Sequence, residues 1–227
     1  MLHVASGKPL IVHVLTSLAS IDRAATIVVA SPRVDEVREG VAAHIDDAIT
    51  YVVQDRPTGT ADATRLAVES LPADVRTVLI APGDTPLLTS ETLSSLVAAH
   101  RDRRAALTLL TAKVLDPSGY GRIVRGAGDT IEAIVEERDA DAQQRALDEI
   151  NAGVYVIELD RLQAVLPKVG AENAQTEYYL TDVVALLVAE GDEVVAVATD
   201  AEEARGVNSR ADLARVEASF RKRTCER

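Results

Sequence analysis

The fold of this chain is decided by the stretch Thr77-Val78-Leu79-Ile80-Ala81-Pro82-Gly83-Asp84-Thr85-Pro86-Leu87-Leu88, an apolar run that stops at a turn. Short aliphatic and β-branched runs of this kind are typical of strands buried on both faces. Asp84 follows the run directly, and ligands bind at the carboxyl ends of strands in open α/β sheets. Its carboxylate suits Mg²⁺, which takes one or two protein oxygens and completes its shell with water and phosphate. An ordinary turn carboxylate beside glycine explains this segment, taken alone, equally well.

Length and composition indicate a globular protein with a sizeable core. The chain has 227 residues, of which 47% are hydrophobic and 26% are charged. A net charge of -12, an aromatic content of 3% and the lack of Trp argue against a nucleic-acid partner. No apolar segment reaches the length of a membrane span, so we expect no membrane partner. The single cysteine, Cys225, predicts a reducing, cytoplasmic location.

Strand and helix patterns alternate along the first half of the chain. This βαβα order predicts an α/β fold of three layers, Rossmann-like, around a mixed and mostly parallel sheet. The predicted strands are 26–30, 50–53, 77–81 and 106–112. The predicted helices are 9–20, 34–43, 60–69 and 90–100, the last with Ser90 as its N-cap.

The second half has a mixed pattern that begins near residue 116. It predicts strands 123–124, 131–135, 151–157 and 193–198 and helices 140–147, 160–166, 180–190 and 209–222. Neither repeats nor a linker interrupt the chain. We therefore predict one domain, residues 1–227, with a core at 1–208 and a C-terminal helix and tail at 209–227.

Several familiar catalytic motifs do not occur in this sequence. It contains no Walker loop, no G-x-G-x-x-G, no H-E-x-x-H, no C-x-x-C and no G-x-S-x-G. The histidines His3, His13, His44 and His100 are scattered, and we expect them to be exposed rather than to bind metal. Chemistry based on a histidine or a cysteine therefore has no support here.

The loops that follow the strands pair glycine with polar residues. Gln54 ends a predicted strand, and its amide offers a base edge both a donor and an acceptor. Gly59 allows close backbone approach, and a helix that begins at Thr60 presents N–H groups to an anion. A plain turn capped by Thr60 accounts for this loop equally well when the loop is considered alone.

Taken together, the loops resemble the sugar-phosphate nucleotidyltransferases, and most closely the uridyltransferase domain of the N-acetylglucosamine-1-phosphate uridyltransferase family. The segments that carry the resemblance occur in the family's order and cover nearly the whole chain. They are Gly7-Lys8-Pro9, Gln54 to Thr60, Gly83-Asp84-Thr85-Pro86-Leu87, Asp116 to Ile123, Val135 to Asp139, Glu149 to Gly153, Thr176 to Asp182 and Gly206 to Arg210.

The resemblance implies roles for particular residues. The catalytic residues that hold the cofactor Mg²⁺ are implied to be Asp84 and Asn208. The residues implied to bind the nucleotide are Gln54, Gly59 and Thr60 at the uracil, and Pro82, Gly83 and Asp84 beside the metal. The residues implied to bind the sugar phosphate are Gly121, Glu136 and Asn151, with Tyr179 and Thr181 near them.

The implied reaction joins UTP and N-acetylglucosamine 1-phosphate and yields UDP-N-acetylglucosamine and pyrophosphate. A phosphate monoester has a second pKa of about 6, so the attacking group is ionised at neutral pH and needs no general base. What remains for the protein is to hold two polyanions in line and to neutralise their charge. In a chain of net charge -12, that task depends on Mg²⁺ and on local cations.

Three departures from the family affect this expectation. Met1-Leu2-His3 aligns just after the lysine of the family's Gly-rich loop, so we expect the first strand and this cationic loop to be missing, and turnover to be weak or absent. Ala61-Asp62 stands where the family has Gly-His, which adds a negative charge near a negative ligand. The sequence ends before any hexapeptide repeat, so we expect no acetyltransferase β-helix.

Two other functions stay open beside uridylyl transfer. One is a catalytically inactive module that binds a nucleotide sugar. The other is a metal-dependent glycosyltransferase, although Gly83-Asp84-Thr85 lacks the first aspartate of an Asp-x-Asp metal motif. The oligomeric state is not indicated by the sequence.

Overall fold

The strands form where the sequence carries its aliphatic and β-branched runs. A computed structural model describes residues 2–225 of the chain. The strands are β1 (Val4–Ala5), β2 (Lys8–Pro9), β3 (Thr26–Ala30), β4 (Ile49–Val53), β5 (Thr77–Ile80), β6 (Leu107–Lys113), β7 (Arg122–Arg125), β8 (Ile131–Val135), β9 (Glu149–Glu158) and β10 (Val194–Ala198).

The helices alternate with these strands as the sequence predicts. They are α1 (Leu10–Leu18), α2 (Val34–Ala42), α3 (Thr60–Val68), α4 (Ser90–Arg103), α5 (Ala142–Arg145), α6 (Leu159–Val165), α7 (Asp182–Ala189) and α8 (Arg210–Cys225). Most begin and end within three residues of the predicted bounds, because an apolar face of helical period marks each one. None of the helices in residues 2–225 has the length and apolar composition needed to cross a membrane.

The predicted helix 140–147 is confirmed as the shorter α5, where Asp141 accepts hydrogen bonds from two backbone N–H groups and caps a single turn. Two local predictions were wrong. The N-cap of α4 is Thr89, because the Ser90 hydroxyl donates instead to the Ser17 carbonyl. His100 is buried rather than exposed.

A short hairpin of β1 and β2 was not predicted either. Its strands have two residues each, too few to show a period of two. The turn between them contains Ser6 and Gly7, both with positive φ, and the Ser6 N–H donates to Glu217 of α8. The hairpin thus holds the C-terminal helix against the start of the chain.

The larger sheet is mixed, as predicted, but it is not mostly parallel, because four of its five described strand pairs are antiparallel. Its strand order is β10-β6-β9-β7-β8, and β5 pairs with the edge of β9 that also meets β7. Strands β5, β6, β7 and β10 share one direction, because β10 is parallel to β6 while β5, β6 and β7 are all antiparallel to β9. These four strands therefore point the same way, although β7 begins beyond the carboxyl end of β5, because Arg122 pairs with Ile150 of β9 and Ile80 with Tyr155.

No described strand lies between β3 and β5, so the parallel strands do not form one continuous sheet. β3 and β4 form a separate parallel pair, and no described strand pairs with the second edge of β3 or of β5. Helices cover both faces of the strands. Leu79 packs with the cluster that includes α4, whereas Val78 and Ile80 pack with the cluster that includes α6 and α7.

Candidate functional site

One cavity brings most of the predicted site residues together. It has a volume of about 940 Å³ and runs from the gap between β3 and β5 to the carboxyl end of β5. The predicted site residues that line it are Thr60, Pro82, Gly83, Asp84, Gly121, Glu136, Asn151, Thr181 and Asn208. The remaining three, Gln54, Gly59 and Tyr179, lie outside this lining.

Asp84 lies at the carboxyl end of β5, where the apolar run predicts it. The turn is held by the Thr85 hydroxyl, which donates to the Pro82 carbonyl at 3.0 Å, and is anchored by the buried Leu87. Asp84 is half-buried, and this burial raises the pKa of its carboxyl group. A cation beside Asp84 would offset the cost of burying its charge.

Asn208 reaches the same cavity from a loop distant in sequence. The Val207 N–H donates to the Asp84 carbonyl at 2.9 Å, which ties the two loops together. The Gly206 N–H donates to the Tyr120 hydroxyl at 3.3 Å on the other side of the loop. These bonds place an amide and a carboxylate on neighbouring loops, and both supply the oxygen donors that Mg²⁺ prefers.

The loop after β4 is organised around Asp62. The Gln54 amide donates to the Asp62 carboxylate and to the Gly59 carbonyl, each at 3.0 Å. The Thr58 hydroxyl donates to the same Asp62 oxygen at 2.6 Å. Because the amide nitrogen of Gln54 is engaged in this way, the amide oxygen is the part of the side chain left to accept a hydrogen bond.

These bonds lower the pKa of the Asp62 carboxyl group to about 2, chiefly through Thr58 and then Gln54. A lowered pKa of a carboxyl group stabilises the fold above the unfolded value near 4, and this stability is lost as the pH falls towards 2. The sequence marked Asp62 only as an extra charge near the ligand. The hydrogen bond from Gln54 to Asp62 forms only when the loop is folded, so the residue pattern did not predict it.

We expect Asp62→Asn to lower the free energy of unfolding by roughly 2 kcal/mol at pH 7. Asparagine has no charge, so the hydrogen bonds from Thr58 and Gln54 lose their strong acceptor. Urea denaturation at several pH values measures the difference between the variant and the unchanged chain. The difference in the free energy of unfolding should become smaller below pH 4, where the Asp62 carboxyl group begins to be protonated in the unfolded chain. A difference that stays constant down to pH 3 would show that the charge of Asp62 does not stabilise the fold.

Gly59 and Thr60 join this loop to the segment before α7. Gly59 has a φ of 120°, and a Cβ atom there would lie 2.4 Å from the Tyr178 carbonyl oxygen. The Thr60 hydroxyl accepts a hydrogen bond from the Leu180 N–H at 3.0 Å, and the Ala61 N–H donates to Tyr178 at 2.9 Å. The two segments thus form one wall beside the cavity.

The predicted sugar side of the site centres on Glu136. A Cβ atom on Gly121 would lie 3.6 Å from both carboxylate oxygens, so the glycine backbone faces this side chain directly. The Thr181 hydroxyl donates to Glu136 at 3.0 Å. Burial raises the pKa of Glu136, and the charges of Asp182 and Asp139 raise it further.

Asn151 and Tyr155 form a polar pair in the middle of β9. The Asn151 amide donates to the Tyr155 hydroxyl at 2.6 Å, while its carbonyl oxygen accepts from the Gly153 N–H at 3.0 Å. Tyr155 lines the cavity, and burial raises the pKa of its hydroxyl. Its role was not predicted, because a tyrosine in an apolar strand has the pattern of an ordinary core residue.

Tyr179 is buried with a hydroxyl that has no hydrogen-bond partner among the described residues. Burial, followed by the charges of Asp139 and Glu136, raises the pKa of this hydroxyl to about 12. The hydroxyl therefore stays protonated at neutral pH and can donate.

Charge is distributed unevenly along the cavity. The cations that line it in the described part of the chain are Arg23, Arg76 and Arg101, which lie just before β3, just before β5 and near the end of α4. The carboxylates Asp22 and Asp74 line the same end and offset part of this positive charge. The carboxylates Asp84 and Glu136 line the opposite end, at the carboxyl end of β5. A phosphate group at that end needs a cation that the cavity itself does not supply.

Comparison with known proteins agrees with this geometry. Residues 1–204 match the sequence profile of a family described as nucleotidyl transferase. The bifunctional protein GlmU of Kineococcus radiotolerans is 43% identical over 229 residues, which cover 100% of this chain and 46% of the relative. The bifunctional protein GlmU of Mycobacterium marinum is 40% identical, and the match covers 98% of this chain and 46% of the relative. The chain thus spans about half the length of these relatives.

Solved structures share the fold at low sequence identity. A putative glucose-1-phosphate thymidylyltransferase from Bacillus anthracis superposes with a TM-score of 0.75 at 18% identity, covering 97% of this chain and 85% of the other. CMP:2-keto-3-deoxy-manno-octonic acid synthetase superposes with a TM-score of 0.69, also at 18% identity. The match covers 98% of this chain and 91% of the synthetase chain. The α/β fold, the cavity at the strand ends and the match over residues 1–204 agree, and this chain belongs to the nucleotidyl transferase family.

Proposed function

We propose that this site serves uridylyl transfer from UTP to N-acetylglucosamine 1-phosphate, which yields UDP-N-acetylglucosamine and pyrophosphate. The observation that carries the proposal is that Asp84, Asn208 and the set around Glu136 open onto one cavity. The relatives that match the whole chain at about 40% identity support it further. In this proposal the Gln54 loop receives uracil and the Glu136 side receives the amino sugar.

The donor set at Asp84 and Asn208 fits Mg²⁺. Both residues offer hard oxygen donors, and the half-buried Asp84 has no side-chain partner among the described residues. No cluster of three or more His, Cys, Asp or Glu side chains suited to a metal occurs within residues 2–225. Magnesium needs no such cluster when phosphates supply its other ligands, and it would neutralise their charge when bound.

The protein's own residues would act on the sugar by position rather than by proton transfer. Thr181 holds one oxygen of Glu136, which leaves the other free to accept from a sugar hydroxyl or amide. Asn151 is fixed by Tyr155 and Gly153 in a single orientation. Such fixed groups reduce the cost of ordering the substrate.

A second candidate function is a module that binds the nucleotide sugar without turnover. The observation that favours it is the charge of the cavity, whose lining near Asp84 includes no Lys or Arg of the described residues. Transfer of a nucleotidyl group requires neutralisation of the leaving pyrophosphate. Binding of the product alone requires less, because its diphosphate bridge carries less charge than the triphosphate of UTP and no pyrophosphate ion has to leave.

Binding of UDP-N-acetylglucosamine with Mg²⁺, measured by isothermal titration calorimetry, tests both candidates. We expect Glu136→Gln to weaken binding by about tenfold, because it removes a charged acceptor at the sugar. The control is Glu132→Gln, an equal charge change on the exposed side of β8, which should bind as the unchanged chain does. Release of pyrophosphate from UTP and N-acetylglucosamine 1-phosphate then separates the enzyme from the module. If UDP-N-acetylglucosamine does not bind, both candidates are wrong.

A further inference from the structure

The side-chain amide of Gln54 has one orientation, and the acceptors around it fix that orientation. The amide nitrogen donates to the Gly59 carbonyl and to the Asp62 carboxylate, each at 3.0 Å, and lies 3.3 Å from the Thr58 hydroxyl oxygen. A carbonyl and an ionised carboxylate only accept hydrogen bonds, so the amide oxygen cannot take the place of the nitrogen. The backbone N–H of Gln54 donates to the Ala30 carbonyl at 2.8 Å. Both the backbone and the side chain of Gln54 are therefore held by the folded chain.

Asp62, in the first turn of α3, is the strongest of these acceptors because it is charged. The same carboxylate oxygen accepts from the Thr58 hydroxyl at 2.6 Å, so this hydroxyl has no proton left to donate to Gln54. The other carboxylate oxygen accepts from Arg65 at 2.8 Å. Since the Asp62 side chain is held from two sides, it can in turn hold the Gln54 amide.

The Gln54 amide oxygen is left as an acceptor without a partner within residues 2–225. Gln54 is half-buried, and its loop reaches the cavity at Thr60. The position therefore offers a ligand one fixed acceptor and no donor. Uracil and thymine carry an N–H at ring position N3 that can donate to such an acceptor. Cytosine carries a lone pair at N3, which would face the lone pairs of the amide oxygen.

We propose that Asp62 is a positioning residue that makes the base site selective for pyrimidines with an N–H at N3, uracil and thymine, over cytosine. Asp62 acts through Gln54, whose amide it holds with the oxygen towards the base. This role rests on the proposed function, in which the Gln54 loop receives the base, and adds to it the residue that sets the class of base. The extra negative charge of Asp62 thus has a use at a site for a negative ligand.

Loss of the Asp62 carboxylate would allow the Gln54 amide to turn over. The Thr58 hydroxyl would be released from Asp62 and could donate to the turned amide oxygen, which would lie close to it. The amide nitrogen would then face the base and could donate to N3 of cytosine. The Gly59 carbonyl still favours the present orientation, so we expect the selectivity to fall rather than to invert.

Isothermal titration calorimetry with Mg²⁺ and three nucleotides tests this role. The nucleotides are UDP, CDP and the 5′-diphosphate of 3-methyluridine, in which a methyl group replaces the N–H at N3. The unchanged chain should bind UDP at least about tenfold more tightly than either of the others. In Asp62→Ala the ratio of UDP to CDP affinity should fall by about tenfold, because the charge-assisted hydrogen bond to Gln54 is lost.

The direction of the change in CDP affinity distinguishes positioning from a general loosening of the loop. CDP should bind Asp62→Ala more tightly than it binds the unchanged chain, whereas a loosened loop would weaken UDP and CDP alike. The 3-methyluridine nucleotide should stay weak, since its methyl group accepts no hydrogen bond. If the alanine variant does not fold, Asp62→Leu fills a similar volume without an acceptor and should show the same fall in the ratio.

Two control variants keep an acceptor for Gln54. Asp62→Asn removes the charge but retains a carbonyl oxygen that can accept from the Gln54 amide, so the ratio of UDP to CDP affinity should be restored. Arg65→Gln removes the ion pair to Asp62 and leaves the bond from Gln54 in place, so it should also keep the ratio.

The outcomes that overturn this role differ from those that overturn the proposed function. Equal binding of UDP and CDP by the unchanged chain, or an unaltered ratio in both Asp62→Ala and Asp62→Leu, would refute the role of Asp62 and leave the proposed function standing. Failure of UDP to bind would also refute the role. The proposed function is refuted with it only if UDP-N-acetylglucosamine does not bind either.

Discussion

Replacing Gly59 by alanine is expected to lower the free energy of unfolding by about 3 kcal/mol or more. The added Cβ atom would lie 2.4 Å from the Tyr178 carbonyl oxygen and 2.6 Å from its nitrogen, inside van der Waals contact. The φ of 120° is also one that L-residues with a side chain rarely adopt. Urea denaturation followed by circular dichroism measures the loss.

The clash at Gly59 cannot be relieved by a small shift of Tyr178. The Tyr178 N–H donates to the Thr58 carbonyl at 2.8 Å, and its carbonyl accepts from the Ala61 N–H at 2.9 Å. Moving the Tyr178 backbone therefore breaks two hydrogen bonds, each with a net contribution of about 1 kcal/mol. We expect the variant to lose the wall that joins the Gln54 loop to the segment before α7, and nucleotide binding with it.

Gly119→Ala is the matched control for this prediction. Gly119 also has a positive φ, of 84°, but no heavy atom lies within 4 Å of the position of its added Cβ. Only the backbone preference is lost there, at a cost of about 1 kcal/mol. Equal losses in the two variants would show that the contact with Tyr178 does not matter.

Replacing Asp84 by asparagine is expected to weaken Mg²⁺ binding by at least about tenfold while stabilising the metal-free protein. Burial raises the pKa of Asp84, so this group favours folding in its protonated form. The stability that it contributes is present at low pH and is lost as the pH rises through the raised pKa. Asparagine is neutral at every pH and avoids that loss.

Thermal unfolding at pH 5 and pH 8, with and without Mg²⁺, measures both effects. At pH 8 without metal, Asp84→Asn should unfold about 2–4 °C higher than the unchanged chain. Magnesium should raise the unfolding temperature of the unchanged chain more at pH 8 than at pH 5, and should leave that of the variant unaltered. A shift of equal size in both proteins would rule out Asp84 as the metal ligand.

The variant Asp182→Asn distinguishes two effects on the unfolding temperature, that of removing a buried charge and that of losing a metal ligand. Asp182 lies in the first turn of α7, and burial raises its pKa as it does at Asp84, but it does not line the cavity. At pH 8 this variant should also unfold at a higher temperature than the unchanged chain. Magnesium should raise its unfolding temperature by as much as it raises that of the unchanged chain. The pair of variants thus assigns the cation to one carboxylate.

The elements with a strong period could be predicted from the sequence. β3 begins and ends at the predicted residues, and β5 stops at the turn that holds Asp84, because aliphatic runs and Pro-Gly punctuation act locally. The β1–β2 hairpin could not be predicted in this way, and neither could the short length of α5. Both depend on caps and contacts rather than on a period.

The sequence predicted which loops meet at the cavity, but not which of their side chains form hydrogen bonds with one another. The loops carrying Asp84, Glu136 and Asn208 were recognisable by their residues, and their side chains do line one cavity. The engagement of Gln54 by Asp62, and of Asn151 by Tyr155, was not foreseen. Each of these hydrogen bonds depends on how a loop or a strand is turned, which residue types alone do not specify.

The chain's local patterns were thus sufficient to place its strands, its helices and a carboxylate at the end of β5, because these depend on neighbours close in sequence. Tertiary structure alone decided that Thr60 and Leu180, 120 residues apart, form one wall and that Val207 holds the Asp84 turn. It alone decided how β3 and β5 face each other across a groove. The physical reason is that long-range contacts follow from how the layers pack, and no local period encodes them.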